Sequence, residues 1–398
     1  MNLILQNKNL LFLFLTGFLK NFLVMIPILT LYFQDRWLSM SEIMILQTIF
    51  SVLIVVFEVP SWYLSDIFKR KYSLVIAAIL STIAMIWYYF ANNFWHFVVI
   101  ESILWISASL VSGADVAYMY DELLSQKKEK YFTKINGMYD ALLRASEWIW
   151  SVLGWFLATI SFKVVILAEV FATFLSIFTS LSLKEHKKNI KKEDRLKAKE
   201  VLKFVFKDND KIKYLIWFYA FLGSSTLVFL WLAQPYWKNM WLPLVYFWIY
   251  WGLLNFIVSL WSILSHKLEE KFSFKQIFIF FWICSFAFYL ILFFTKNLYL
   301  ALIVSSFFWF FRGLNSPIVK DFVNKEVQSK MRATVLSIKN LAFRIVFSIL
   351  SPFVGYIADL YTIQTAFLVS AIIFAILSWI FLILLLLSFR KKCDVCVK

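Results

Sequence analysis

Glycine is the residue that this sequence lacks most: there are 8 among 398 residues, where average usage would give about 28. Charged residues are also sparse, at 16% against roughly a quarter in soluble domains, which excludes an ordinary soluble fold. Three cysteines are too few for a disulfide scaffold. Two of them form the pair Cys393-x-x-Cys396, which has no second ligand pair for zinc. We therefore expect no metal site.

Apolar residues dominate instead. They make up 62% of the chain and give a mean hydropathy of +0.76, which is typical of an integral membrane protein. The net charge of +16 does not indicate nucleic-acid binding, because Lys and Arg flank apolar runs and do not cover a soluble domain. The three His are scattered and no phosphate-binding loop is present, so we expect no enzyme, no cofactor and no ATP-driven pump.

Twelve apolar runs can each cross a bilayer, which takes about 20 residues. Backbone N–H and C=O groups cannot stay unpaired in hydrocarbon, so each run is predicted to be a helix and the fold to be all-α. The predicted spans are 9–33, 41–64, 73–91, 95–121, 136–160, 164–183, 212–237, 241–265, 275–294, 298–323, 332–359 and 362–389.

A long basic segment divides these spans into two groups of six. The prediction is an N-terminal six-helix bundle over 1–183, a cytoplasmic linker over 184–211, a C-terminal six-helix bundle over 212–389 and a cytoplasmic tail over 390–398. Spans two and eight end alike, in "WYLSDIFKRK" from Trp62 and "WSILSHKLEEK" from Trp261. Their separation of about half the chain indicates a duplicated six-helix unit.

The distribution of Lys and Arg predicts the orientation. About thirty lie at the termini and in the loops after even-numbered spans, and about four lie in the loops after odd-numbered spans. Those four are Arg36, Lys163, Lys238 and Lys296. The positive-inside rule then places both termini in the cytoplasm, and we expect a multi-pass protein of the cytoplasmic membrane.

The turn after span two resembles the signature of the major facilitator superfamily, in which two basic residues follow an Asp at the fourth and fifth positions. Asp66, Arg70 and Lys71 match this signature, and its two glycines are missing. The stretches 112–124 and 310–341 are similar to a bacterial twelve-span branch of the family. The resemblance extends over essentially the whole chain and implies two pseudo-symmetric six-helix bundles about a central cavity.

In that family this turn is a cytoplasmic gate. The resemblance implies that its charges make bonds that break and re-form as the bundles move, with Asp121 at the end of span four as their partner. The gate residues are Asp66, Lys69, Arg70, Lys71 and Asp121. Charges in such turns can also serve orientation alone, and the sequence leaves that alternative open.

Ionisable residues inside spans are costly and mark functional sites by default. Spans three, nine and twelve have none in their interiors and span six has only Glu169; the resemblance makes these four spans the outer supports. The candidates for a cavity or proton-coupling role are Glu58, Glu101, Asp115, Asp140, Arg144 and Glu147. The candidates for binding a substrate anion, or for pairing with acids of the other bundle, are Lys20, Arg312, Lys339 and Arg344.

Asp140, Arg144 and Glu147 share one face of span five, because they are spaced i, i+4 and i+7. Arg144 can neutralise one carboxylate while the other takes up and releases a proton. A static interhelical ion pair is the alternative, and the sequence does not choose between the two.

We expect a secondary transporter that moves a small solute by alternating access, with proton-coupled export of an organic molecule as the first choice. Proton- or solute-coupled import of a metabolite is the alternative, and a non-transporting membrane scaffold is an alternative of another class. Proton-driven antiporters of the family usually carry an Arg where Glu101 stands here, which counts against that mechanism. The expected partners are the solute, protons and lipid, with no nucleic acid, and the expected state is a monomer.

Tryptophan is unusually abundant. With 18 Trp, the Trp and Gly counts together are close to the glycine count expected for this length. Several Trp stand where helices usually approach through small residues; examples are Trp62, Trp105, Trp148, Trp155 and Trp261. We hypothesise that many of them are glycine in the natural protein, as follows if the source reads UGA codons as Gly.

Overall fold

A computed structural model describes residues 4, 6–67, 70–111, 114–158, 160–184 and 198–390. Within these ranges the side chains of 55–67 and 198–200, and those of scattered helix positions that include Arg144, Trp148 and Trp155, lie outside the description. The described residues contain no β-strand and most of them are helical. The prediction of an all-α protein is thus confirmed.

The helices follow the predicted spans closely. In chain order they are α1 (Lys8–Lys20), α2 (Leu29–Asp35), α3 (Met40–Ile67), α4 (Arg70–Phe90), α5 (Phe94–Val111), α6 (Ala114–Ser125), α7 (Phe132–Ala158), α8 (Phe162–Leu181), α9 (Ala198–Lys203), α10 (Asp210–Asn239), α11 (Tyr246–Lys271), α12 (Phe274–Phe294), α13 (Leu298–Glu326), α14 (Ser329–Leu360) and α15 (Ile363–Arg390). Among the described residues, nine helical stretches are long and apolar enough to cross a membrane.

Polar caps explain where several spans begin. The first N–H groups of a helix have no partner within it, and a side-chain oxygen just before the helix can accept from one of them. Asn7 does this for α1, Asn209 for α10 and Asn297 for α13. Ser273 and Gln276 form a reciprocal capping box at the start of α12.

The chain forms two compact units. Unit 1 comprises Met1–Leu38, Leu53–Lys191 and Leu244–Gly252, so it holds α1, α2, α4 to α8, the second part of α3 and the first turns of α11. In its interior α4 packs against α5 and α8, and α1 packs against α7 and α8. One buried cluster in this unit contains Leu13, Phe14 and Tyr139.

Unit 2 comprises Ser39–Val52, Lys192–Pro243 and Leu253–Lys398. Here α10 packs against α14 and α15, and α12 packs against α15. Fully buried aromatic rings fill the space between these helices, as where Phe229 stacks on Phe308 with ring centroids 3.9 Å apart. The predicted bundle limits, 1–183 and 212–389, stay a prediction.

Within unit 2, the carboxylate of Asp359 caps the start of α3. Its Oδ1 accepts the N–H of Met40 at 2.8 Å, and its Oδ2 accepts the N–H and the hydroxyl of Ser41 at 2.7 and 2.6 Å. A negative charge at a helix N-terminus is favourable because it meets the positive end of the helix dipole. Gly355 makes this approach possible, since a Cβ there would lie 2.8 Å from the carbonyl oxygen of Met40.

The first predicted span, 9–33, is not one continuous helix. α1 ends at Lys20, and helical structure resumes as a 3-10 turn at Ile26–Ile28. The carboxylate of Glu169, which is 3% exposed on α8, accepts the N–H of Met25 at 2.7 Å and also that of Val24. A buried acid therefore satisfies backbone donors that the break would otherwise leave unpaired in the membrane.

Two tryptophans occupy backbone conformations that favour glycine. Trp37 follows α2 with φ 66°, and Trp241 follows α10 with φ 65°. Both close a Schellman motif: the Trp37 N–H donates to the Gln34 carbonyl at 3.0 Å and the Leu38 N–H donates to the Phe33 carbonyl at 3.1 Å. Around Trp241 the same two bonds, both 3.0 Å, run to Lys238 and Trp237.

These two motifs support the hypothesis that Trp stands for glycine. The left-handed position after a helix is usually glycine because a Cβ there is strained. The two side chains, 93% and 89% exposed, gain little burial in return. The motifs follow the first and the seventh predicted spans, which is where a duplicated six-helix unit would repeat a structural glycine.

We expect Trp37→Gly and Trp241→Gly each to stabilise a protein that carries the printed sequence, by about 1 kcal/mol, because each relieves left-handed strain. The measurement is the apparent unfolding temperature in detergent. Trp95→Gly is the matched control, since Trp95 is also exposed but lies in helix α5, where glycine is unfavourable. Equal effects of all three changes would contradict the backbone argument.

The broader hypothesis is checked by the intact mass of the protein purified from its own host. We expect a mass below that of the printed sequence, because each Trp that is truly Gly removes an indole side chain. Tandem mass spectra of peptides that contain positions 37 and 241 identify the residue directly. A peptide with Trp at both positions ends the hypothesis for these two turns.

Candidate functional site

A polar cluster lies among the helices of unit 1. The ammonium of Lys20, at the end of α1, donates to the hydroxyl of Ser107 on α5 at 3.0 Å. Asp115 on α6 is the charged neighbour of this Lys, and it accepts a hydrogen bond from the hydroxyl of Tyr139 on α7 at 3.3 Å. Side chains of four helices thus bring a cation and a carboxylate into electrostatic range, each with its own hydroxyl partner.

Small residues make this cluster possible. A Cβ at Gly17 would lie 2.5 Å from the hydroxyl of Tyr139, so only glycine lets that ring pass α1 toward Asp115. Ser107 is buried and donates to the carbonyl of Ala77 at 2.7 Å. Its oxygen is therefore fixed where the Lys20 ammonium reaches it, and Lys20 follows Gly17 by one turn of α1.

Two of the predicted gate residues are in contact within unit 1, and their gating role stays a prediction. Arg70, the first residue of α4, forms an ion pair with Asp121 on α6 and also donates to the carbonyl of Ala117. The sequence singled out Asp121 as a partner for this turn, and the structure brings the two side chains together. Lys71 is half-buried, whereas Lys69 and the side chain of Asp66 lie outside the described residues.

Two buried carboxylates in unit 1 have neutral partners. Glu101 on α5, 7% exposed, accepts from the hydroxyl of Tyr88 at 2.8 Å. Glu169 accepts the backbone N–H groups at the break in the first span. Since an ionised carboxylate in a membrane needs such donors, both acids are satisfied locally and are less suited than Asp115 to respond to Lys20.

A third buried acid, Glu122 on α6, was missed by the sequence reasoning. It accepts from the side-chain amides of Asn7 at 2.8 Å and Asn9 at 2.7 Å, next to the start of α1. The Asn9 oxygen in turn accepts the N–H of Lys184. Asn7-x-Asn9 before an apolar run was the available signal, because Asn commonly caps a helix and holds a neighbour.

Unit 2 carries a cationic cluster. Lys339 on α14 is 2% exposed, and its ammonium lies 4.0 Å from the centroid of the Tyr219 ring on α10. Tyr219 also feels the charge of Arg312 on α13. A cation over an aromatic face is a favourable contact, and Tyr219 is a functional candidate that charge-based reading of the sequence passed over.

Asp140 is exposed, has the amide of Asn136 at 3.5 Å and is a charged neighbour of Tyr139; Glu147 and Arg344 are half-buried. The side chains of Glu58 and Arg144 lie outside the described residues, so the predicted ion pair on span five stays a prediction. No group of His, Cys, Asp or Glu in the described part of the chain is arranged to hold a metal.

Comparison with solved structures finds close likeness over nearly the whole chain. A mutant of the nucleoside transporter NupG superposes with a TM-score of 0.78 at 14% identity, covering 95% of this chain and 100% of that one. An inward-facing, unoccupied bacterial homologue of the human lysosomal transporter Spinster gives 0.72 at 14% identity, with 96% of each chain covered. A D-xylose-proton symporter gives 0.69 at 15%, covering 93% and 96%.

Identities this low show the fold and leave the solute open. A comparison with curated proteins finds no match. The sequence model of the Major Facilitator Superfamily, however, matches residues 10–349, which is well over half of the chain. Together with the helical fold and the ionisable clusters in its spans, this match shows that the chain belongs to the major facilitator superfamily and is a multi-pass membrane transporter, not an enzyme.

Proposed function

We propose that the protein is a proton-coupled secondary transporter of a small organic solute, and that Asp115 is its coupling acid. The observation that carries the proposal is the cluster of Lys20, Ser107, Asp115 and Tyr139 in unit 1. It combines a carboxylate and an ammonium inside the membrane with hydroxyl groups that can serve either of them.

The coupling follows from electrostatics. An ionised Asp115 offsets the charge of Lys20, which lowers the cost of holding that cation in a low-dielectric region. Once Asp115 binds a proton, this attraction is lost and the Tyr139 hydroxyl faces a neutral acid. The two protonation states therefore favour different arrangements of α1, α6 and α7, and a proton gradient can bias a conformational cycle only through such a difference.

The direction and the topology rest on the sequence. We propose that the protein is a monomer in the cytoplasmic membrane with both termini in the cytoplasm. It exports its solute by proton antiport; import by symport is the alternative. The ion pair between Arg70 and Asp121 supports a shared role for these two residues, and a gating role for Asp66, Lys69, Arg70, Lys71 and Asp121 remains part of the proposal.

The test needs a solute, which a thermal-shift screen of the purified protein against a solute library supplies. In vesicles, Asp115→Asn is expected to abolish accumulation driven by a pH gradient, because the amide cannot bind and release a proton, while exchange of labelled for unlabelled solute continues. Glu129→Gln, an exposed acid before α7, is the matched control and should retain both activities. Gradients of opposite sign distinguish export from import.

A structural role for Asp115 predicts something else. The variant would then lose exchange and accumulation together, or lose neither, and either result contradicts coupling through this residue. Asp140→Asn and Glu147→Gln test the acids of span five in the same assay. If one of these variants alone loses gradient-driven accumulation but keeps exchange, the coupling acid is that residue of α7 and not Asp115. A wild-type protein that binds no solute and moves none favours the scaffold.

A further inference from the structure

Lys339 is a buried cation without a matching acid. It lies in α14, within a stretch long and apolar enough to cross the membrane, and is 2% exposed. Among the described residues, no carboxylate is in ion-pair contact with it, and the charge that acts on it most is another cation, Lys320. A cation in this setting is expected to have a counter-charge.

Other lysines of unit 2 do have counter-charges. Those near the helix ends pair with acids of the same unit: Lys211 with Glu326 at 3.0 Å, Lys213 with Asp210 at 2.5 Å and Lys325 with Asp321 at 2.5 Å. The described acids of unit 2 thus lie toward the ends of its helices. None of these three acids is the counter-charge of Lys339, whose charged neighbour is Lys320.

Close helix packing fixes the position of Lys339. Gly223 on α10 lets α14 approach, because a Cβ there would lie 2.9 Å from the Phe343 ring. Ser224 locks the crossing by donating to the Phe343 carbonyl at 2.8 Å. Tyr219 lies one turn before Gly223 on α10, and Lys339 lies one turn before Phe343 on α14. The helix crossing therefore holds the Lys339 ammonium against the face of the Tyr219 ring.

A buried polar atom on α13 also lacks a partner. Asn315 follows Arg312 by three residues and therefore shares its face of α13. It is 8% exposed, and its Oδ1 is buried without a hydrogen-bond partner. Buried polar atoms are rarely left unpaired, and an exception needs an explanation such as a ligand.

We propose that the transported solute is an organic anion, and that its carboxylate or phosphate group is the counter-charge of Lys339. Tyr219 holds the ammonium in place, Arg312 adds attraction from α13, and the Asn315 Oδ1 accepts a hydrogen bond from a donor group of the same solute. This inference rests on the proposed transport function but concerns binding alone, so binding tests it even where coupling through Asp115 fails.

The experiment measures binding to the full-length protein in a neutral, lipid-free detergent. The probes are benzoate and phenyl phosphate, with benzyl alcohol as the neutral and benzylamine as the cationic counterpart. At least one anion is expected to raise the apparent unfolding temperature, and the neutral and cationic probes are not. Lys339→Gln should weaken anion binding about 10- to 100-fold, as for loss of one charged hydrogen bond; Lys213→Gln, the matched control, should leave it unchanged.

Lys339→Met gives a readout that needs no ligand. If the ammonium has no acid partner, an apolar side chain of similar length should raise the unfolding temperature of the ligand-free protein, because a buried charge is removed. If Lys339 instead pairs with an acid, the same change strands that acid and lowers the temperature, which overturns the proposal. Lys339→Arg should retain anion binding.

Two further outcomes reject the proposal. Stabilisation by benzyl alcohol equal to that by benzoate would show that the ring of the probe binds and its charge does not. Stabilisation by phosphatidylglycerol that neither benzoate nor phenyl phosphate reproduces would assign Lys339 to a lipid headgroup. If the Lys339→Gln variant does not fold, the unfolding temperature of the Lys339→Met variant decides whether Lys339 has an acid partner.

Discussion

Hydrocarbon solvates neither charge nor backbone, and this constraint organises the protein. Each ionisable group within a span therefore needs a hydrogen-bond partner or counter-charge, either from another part of the chain or from a bound solute. In unit 1 the compensation is internal: hydroxyls, amides and backbone N–H groups surround the carboxylates of Glu101, Glu122 and Glu169. In unit 2 the described contact of the Lys339 ammonium is with the face of the Tyr219 ring. The two units thus meet the same cost in different ways.

Much of the fold could be predicted because the membrane simplifies the problem. A run of about 20 apolar residues has one solution, a helix, and most of the predicted runs correspond to described helices, with the first span as the exception. The contact between Arg70 and Asp121 was also predictable. The turn after span two carries three consecutive cations, Lys69 to Lys71, and Asp121 is the acid at the end of span four that pairs with Arg70 in unit 1.

The break in the first span could not be predicted from hydropathy alone, because 9–33 is mostly apolar; Pro27, which lies in the 3-10 turn, was the available local signal. It depends on Glu169, which lies in a different helix and accepts backbone donors through space. The hydrogen-bond partners were missed for a similar reason. Tyr88, Tyr139 and Tyr219 read as packing in a chain that is 20% aromatic, and only the helix crossings show which hydroxyls and rings meet charge.

The turns at Trp37 and Trp241 have a practical consequence for anyone who produces this protein. A gene written from the printed sequence places a large indole at two turns whose backbone conformation favours glycine, whereas a laboratory bacterium that reads native UGA codons as stop would truncate the chain. Either product would be less stable or incomplete for reasons unrelated to its biology, and poor yield would be mistaken for intrinsic instability. A synthetic gene with glycine codons at these turns separates an artefact of decoding from a property of the transporter.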